Sequence, residues 1–238
     1  MHGSPLARRI DHTLLQPEAT EPRIRALVAQ AIEFHFAAVC VNPCWVDLVS
    51  VLLRQAGVHD PPTTDCRVAT CACVGFPFGV SLPATKAGEA AACVRNGADE
   101  IDMVIFLPAV LAGDLDRARR DVLEVTRATR SLRSRTVVKV ILETALLAEE
   151  HMALGCRAAR EGGADFVKTS TGFHPAGGAS VLAVQWLKKY SGGLRVKAAG
   201  GIRDWPTAQA MLAAGADRLG CSASVAIVTA AEKASASP

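Results

Sequence analysis

The 238 residues are 50% hydrophobic and 21% charged, carry a formal charge of only +3 and are 5% aromatic, so neither the basic stripe nor the stacking rings of a nucleic-acid binder are present. Eight cysteines in a chain this long, opening on MHGSPLARRIDHTLL with no apolar leader, do not describe a secreted disulfide scaffold. No apolar run approaches the ~20 residues that span a bilayer, and the expected setting is reducing and cytoplasmic, with no membrane contact.

In chain order, short β-branched or apolar runs predict strands over 11–15, 37–41, 68–74, 100–105, 137–142, 166–170, 195–198 and 218–222. Alanine-rich helical patterns lie over 21–34, 85–96, 115–129, 148–161, 179–189 and 205–214. Strand and helix in alternation imply a parallel sheet with right-handed crossovers. Three helices end in the same way, in NGADEIDMV, REGGADFVKT and AAGADRLGCS, each setting Gly-Ala-Asp between helix and strand. Glycine takes the left-handed position after a helix, so this is a weak internal repeat of a βα unit. About eight such units close a TIM barrel, (β/α)8, as one domain over residues 1–238. An open doubly wound sheet is the competing layout, but no G-x-G-x-x-G follows the first strand and no shift in composition divides the chain. The tail AAEKASASP, from about residue 230 to 238, is small and polar and is expected to fray.

In a barrel, chemistry gathers at the carboxyl ends of strands, where side chains alternate inward and outward. Three successive strands contain a lysine: VVKVILE (Lys139), FVKTST (Lys168) and RVKAAGG (Lys197). A single strand lysine is usually a rim residue, but parallel strands are covered outside and filled inside, which makes three harder to place structurally. Lys168 and Lys197 lie near their strand ends and read as functional. Lys139 lies a layer deeper and reads as electrostatic support. Two buried ammonium groups repel, and burial disfavours both charges, so one pKa is expected to fall toward the ~7–8 at which an amine attacks a carbonyl. In ADEIDMVIF, alternation puts Asp102 inward, where it would stabilise one ammonium and relay protons, with Glu100 at the strand's entrance.

Glycine-rich turns follow the last strands: STGFH, AAGGIR and GCSAS. Small residues let backbone N–H groups converge on an anion at a helix N-terminus, so these turns point to a phosphorylated substrate. The histidines are dispersed, no H-E-x-x-H or C-x-x-C pair is present, and the two thiols of CAC read as core, so no metal or other cofactor is expected.

Taken in order, IDHTLL (10–15), VCVNP (39–43), VGFPFG (74–79), NGADEIDMVI (96–105), KVILET (139–144), GADFVKTSTGF (163–173), VKAAGGIR (196–203), RLGCS (218–222) and VAIV (225–228) resemble the deoxyribose-phosphate aldolases over nearly the whole chain. The resemblance implies a (β/α)8 barrel that cleaves 2-deoxy-D-ribose 5-phosphate to D-glyceraldehyde 3-phosphate and acetaldehyde through an imine and without metal, in deoxyribonucleotide catabolism. By motif, Lys168 would form the Schiff base, Lys197 would be the second lysine and Asp102 the proton relay. Thr171, Gly172, Gly200, Gly201 and Ser222 would hold the substrate and its phosphate. The family is often dimeric, so a homo-oligomer, as a dimer, is expected. Phe106, Gln16, Ala145 and Ser224 replace a frequent Asn, Lys, Cys and Gly, and the C-terminal tyrosine of many members is missing, the one tyrosine being Tyr190. Phe106 removes an amide at a strand end where a substrate hydroxyl would bind.

Overall fold

The computed structural model describes residues 4–59 and 67–236. Eight parallel strands, β1 (Ile10–Leu14), β2 (Ala38–Val41), β3 (Ala69–Val74), β4 (Glu100–Val104), β5 (Val137–Ile141), β6 (Phe166–Lys168), β7 (Arg195–Ala199) and β8 (Arg218–Cys221), pair in sequence order. The ring closes where Ile10 and Asp11 pair with Leu219 and Gly220. It is the expected (β/α)8 barrel and not an open doubly wound sheet, and closure removes the sheet edges.

Alternation along the strands assigns the two faces. Outward residues such as Ile101 and Met103 on β4, Val138 and Val140 on β5, Val167 on β6 and Val196 on β7 join the helices in the main hydrophobic core. The interior is lopsided. Small side chains from β2 and β3, among them Ala38, Cys40, Ala69, Cys71 and Cys73, form one cluster. Long charged side chains from β4 to β8 fill the space opposite, with the Lys139 ammonium 3.4 Å from the Cys71 sulfur. Short residues on one wall make room for lysines on the other.

The helices are α1 (Glu21–Glu33), α2 (Val46–Gln55), α3 (Pro83–Arg95), α4 (Leu107–Leu111), α5 (Leu115–Leu132), α6 (Glu149–Glu161), α7 (Val181–Tyr190), α8 (Trp205–Ala213) and α9 (Ser224–Ala236). Asp114, Ser180 and Asp204 cap α5, α7 and α8 by accepting from the backbone N–H groups of Arg117, Ala183 and Thr207. Sequence periodicity misses α2, whose valine-rich VDLVSVLLRQ carries a helical stripe of Val46, Val49, Ser50 and Leu53 that is buried. It also misses α4 and α9, and residues 230–236, expected as a fraying tail, form the end of α9.

The Gly-Ala-Asp repeat has a physical basis. Asp99, Asp165 and Asp217 each accept a hydrogen bond from the backbone N–H at the start of the preceding strand, from Thr70, Val138 and Val196 at 3.0, 2.8 and 2.8 Å. The repeat therefore staples β3 to β4, β5 to β6 and β7 to β8 at the barrel's amino-terminal end. The β1–β2 unit lacks it: Ala37 stands at the aspartate position, and His35, with φ of 54°, stands where the others have glycine.

Candidate active site

The carboxyl ends of the strands surround a cavity of about 310 Å³ lined by Thr13 within β1 and Gln16 after it, by Lys168, by Thr171, Gly172 and Phe173 after β6, by residues 199–203 at and after the end of β7, and by residues 220–222 of the β8 end. Register sets the depth of each lysine. Lys168 pairs with Ile141 and Lys197, while Lys139 pairs with Phe166 one inward layer below. Lys168, 2% exposed, is the one lysine of the three that lines the cavity.

All three meet at Asp102. Its Oδ2 accepts from Lys168 at 2.8 Å and from Lys197 at 2.7 Å, and its Oδ1 accepts from Lys139 at 2.7 Å and from the Cys71 thiol at 3.2 Å. Below them, Lys139 contacts Glu100 at 2.5 Å, Lys197 donates to Asp11, and Arg218 donates to Asp11 at 2.5 Å. Four cations thus surround three carboxylates, an excess of one positive charge in a closed interior. Burial alone would raise the Asp102 carboxyl, yet Lys139, Lys168 and Lys197 hold it well below the usual range.

The lysine pair differs from its sequence expectation in one respect. Lys168 was expected to have a lowered pKa because Lys197 faces it. Burial pulls it down most strongly, and Lys197 adds to that, but the attractions that oppose them, the Asp102 carboxylate foremost, leave Lys168 above its ordinary value. Burial also opposes the charge of Lys139 and Lys197, but each leans on a second carboxylate, Glu100 or Asp11, besides Asp102, and both are held well above the ordinary value. Lys168, with one carboxylate oxygen that it shares with Lys197, is the least supported of the three and the first to release its proton.

The expected phosphate residues converge. Thr171, Gly172, Gly200, Gly201 and Ser222 all line the cavity, together with Arg203. Gly200, at φ of 93°, would be strained by a side chain, and a Cβ there would lie tightly, 3.1 Å from the Cα of Gly178 and 3.2 Å from that of Gly172. Ala179 donates its backbone N–H to the Gly200 carbonyl at 3.0 Å, so the turns after β6 and β7 pack backbone on backbone.

The departures fall in different places. Gln16 lines the cavity. Phe106 does not: the chain leaves β4 and enters α4 there, the Phe106 N–H goes to Asp121, and its ring stacks under Arg117 at 4.4 Å. Ala145 sits over Gly177 outside the cavity, and Tyr190 bonds Glu149 on the helical shell. Ser224, fully buried, opens α9 and donates to the Cys221 carbonyl at 2.9 Å. Sequence reasoning gave no role to Asp11, Arg218 or Glu143, although IDHTLL alternation places Asp11 on the inward face.

Two buried triads, Cys40–Cys71–Asp102 and Asp11–Cys71–Glu100, bring possible metal ligands within 4.8 Å of one another. Their carboxylates are already engaged by ammonium and guanidinium groups, and burial pushes the Cys71 thiol well above its ordinary value. A cation would have to displace a lysine, so the donor set fits a metal poorly.

The model of the DeoC/LacD aldolase family matches residues 6–227. A deoxyribose-phosphate aldolase of Enterococcus faecalis is 44% identical over 95% of this chain and 97% of its own, and one of Caldanaerobacter subterraneus is 46% identical over 94% and 92%. Among solved structures, the aldolase QR15 aligns at a TM-score of 0.84 and 36% identity over 97% of both chains. A deoxyribose phosphate aldolase of Aeropyrum pernix, described as a unique tetramer, aligns at 0.85 and 33% identity over 96% of this chain and 92% of its own.

Proposed function

Because this chain belongs to the DeoC/LacD family of aldolases and so is a lyase, we propose that it reversibly cleaves 2-deoxy-D-ribose 5-phosphate to D-glyceraldehyde 3-phosphate and acetaldehyde, in deoxyribonucleotide catabolism. The observation that carries the reading is the position of Lys168, the single cavity-lining amine of the lysine trio, sharing one oxygen of Asp102 with Lys197.

In this mechanism Lys168 first releases a proton to cavity water. Its amine attacks C1 of the open-chain sugar, and the aldehyde oxygen takes a proton, giving a carbinolamine. Loss of water leaves a protonated imine, an electron sink. The C3 hydroxyl loses its proton through water to Asp102, the C2–C3 bond breaks, and its electrons pass into the imine to form an enamine and free glyceraldehyde 3-phosphate. Protonation at C2 and hydrolysis then release acetaldehyde and Lys168. Lys197 keeps its charge throughout, which holds Asp102 in place and disfavours a second ammonium at Lys168. The turns at Gly172, Gly200, Gly201 and Ser222, with the N-terminus of α9 behind them, hold the phosphate so that its binding energy places C1 against the amine. No metal is required for any of these steps.

The whole chain acts as one aldolase domain that associates as a homo-oligomer, dimer or larger, in the cytoplasm. Among the described residues no helix is long and apolar enough to cross a membrane. Borohydride added with the substrate fixes a covalent adduct on the peptide that contains Lys168, found by mass mapping. An adduct of equal yield in Lys168→Ala, or none in the wild type, would remove Lys168 from this role.

A further inference from the structure

Glu143 follows β5 by two residues and is one of two non-glycine residues with positive φ among those described, at 54°. Such a conformation costs on the order of 1–3 kcal/mol and is kept where the surroundings impose it. Its side chain is 3% exposed, and no lysine, arginine or histidine pairs with it among the described residues. What it holds is the turn after β6. The Thr171 hydroxyl donates to the Glu143 carboxylate at 2.5 Å, and the Thr171 backbone N–H approaches its two oxygens at 3.3 and 3.4 Å. The same hydroxyl oxygen accepts the Phe173 backbone N–H at 3.1 Å.

The donors on both sides of Gly172 are therefore bound inside the turn, while the Gly172 N–H has no partner within the described protein and Gly172 lines the cavity. A buried carboxylate without a cation, beside a turn meant for a dianion, opposes binding unless it shapes that turn. We propose that Glu143 is a positioning residue for the phosphate turn: it clamps Thr171 directly and Phe173 through the Thr171 hydroxyl, leaving the Gly172 N–H as the donor offered to the substrate's phosphate. The inference rests on the phosphorylated-sugar reading above, and it changes the part given to Thr171, whose hydroxyl hydrogen goes to Glu143 and not to substrate.

Glu143→Gly suits the left-handed backbone and removes the clamp, whereas Glu143→Gln keeps an acceptor for the Thr171 N–H. Binding of inorganic phosphate is measured by calorimetry, and kinetics are measured on 2-deoxyribose 5-phosphate and on 2-deoxyribose. In Glu143→Gly, phosphate affinity falls and KM for the phosphorylated sugar rises, each roughly tenfold, while kcat/KM for 2-deoxyribose stays within about twofold; Glu143→Gln falls between. Thr171→Val, which removes the hydroxyl that joins Glu143 to Phe173, also lowers phosphate affinity, and its phosphate titration carries the test if the glycine variant does not fold. Unchanged phosphate affinity in the variants, or an equal loss on both sugars, overturns the proposal. If the wild type cleaves neither sugar yet binds phosphate in a Glu143-dependent way, the substrate reading fails and the positioning role stands. If it cleaves the phosphate sugar with variants unchanged, the reverse holds.

Discussion

At the scale of single residues, the chemistry turns on how Asp102 divides its charge. Its Oδ2 serves Lys168 and Lys197 together, at 2.8 and 2.7 Å, so each ammonium weakens the hold on the other. Removing Lys197 leaves that oxygen to Lys168 alone and also removes a repelling charge. Lys197→Leu should therefore raise the apparent pKa of the reactive amine. Because the neutral amine is the active form, the acid limb of kcat/KM moves to higher pH, by roughly one unit. A limb that stays in place, or moves to lower pH, would deny Lys197 its electrostatic part. The wild-type limb itself should lie on the alkaline side, since burial and Lys197 lower Lys168 less than its attractions, Asp102 foremost, raise it. Sequence alone brings the two lysines and Asp102 together but not the single oxygen that both ammonium groups share, because alternation shows which side chains point inward and not which of them touch.

Among the elements, strand placement and inward alternation are legible because burial on both sides of a parallel strand writes itself into residue type. The Gly-Ala-Asp repeat is equally legible as punctuation, and the structure adds the staple it makes. Asp165 tests that staple, since its carboxylate accepts the Val138 N–H at 2.8 Å and faces Arg130 at 2.9 Å across a partly exposed surface. Asp165→Ala should cost about 1–2 kcal/mol, most of it from the orphaned strand N–H, and Asp165→Asn, which keeps an acceptor, should cost less. Urea midpoints read the difference, and equal losses in the two variants would assign the effect to the Arg130 pair instead. Other features stay hidden for definite reasons. Asp11 meets Lys197 across 186 residues of chain, a contact made only by closing the barrel. Phe106 follows the period of its strand on paper, yet the strand has ended by then and α4 has begun. Glu143 owes its role to one left-handed dihedral, which no composition pattern announces.

For the whole molecule, the barrel interior works as one ion network, and its linkage to pH has two limbs. Asp102 and Asp11 are held below the ordinary carboxyl value of 3.8, Asp102 by Lys139, Lys168 and Lys197, and Asp11 chiefly by Lys197 and Arg218, in each case against burial. Groups lowered on folding contribute stability above 3.8 and lose it as pH falls through their native values. Lys139 and Lys197 are held above 10.5, so their contribution is complete below that value and is lost as pH rises beyond it. The thermal midpoint should then be nearly flat from about pH 5 to about pH 9 and fall on either side. Asp11 joins β1 to β7 and β8, where the ring closes, so Asp11→Ala leaves Lys197 with Asp102 alone and Arg218 with only a distant Glu100, at 3.8 Å. Breaking a buried pair in this way costs about 3–5 kcal/mol, and it also weakens the acid limb, because one of the carboxylates that must be protonated is gone. Calorimetric scans of both proteins across the pH range measure the two effects. A midpoint that rises as the wild type is acidified from pH 5, or an Asp11→Ala variant as stable as the wild type at neutral pH, would mean that these ions do not hold the barrel closed.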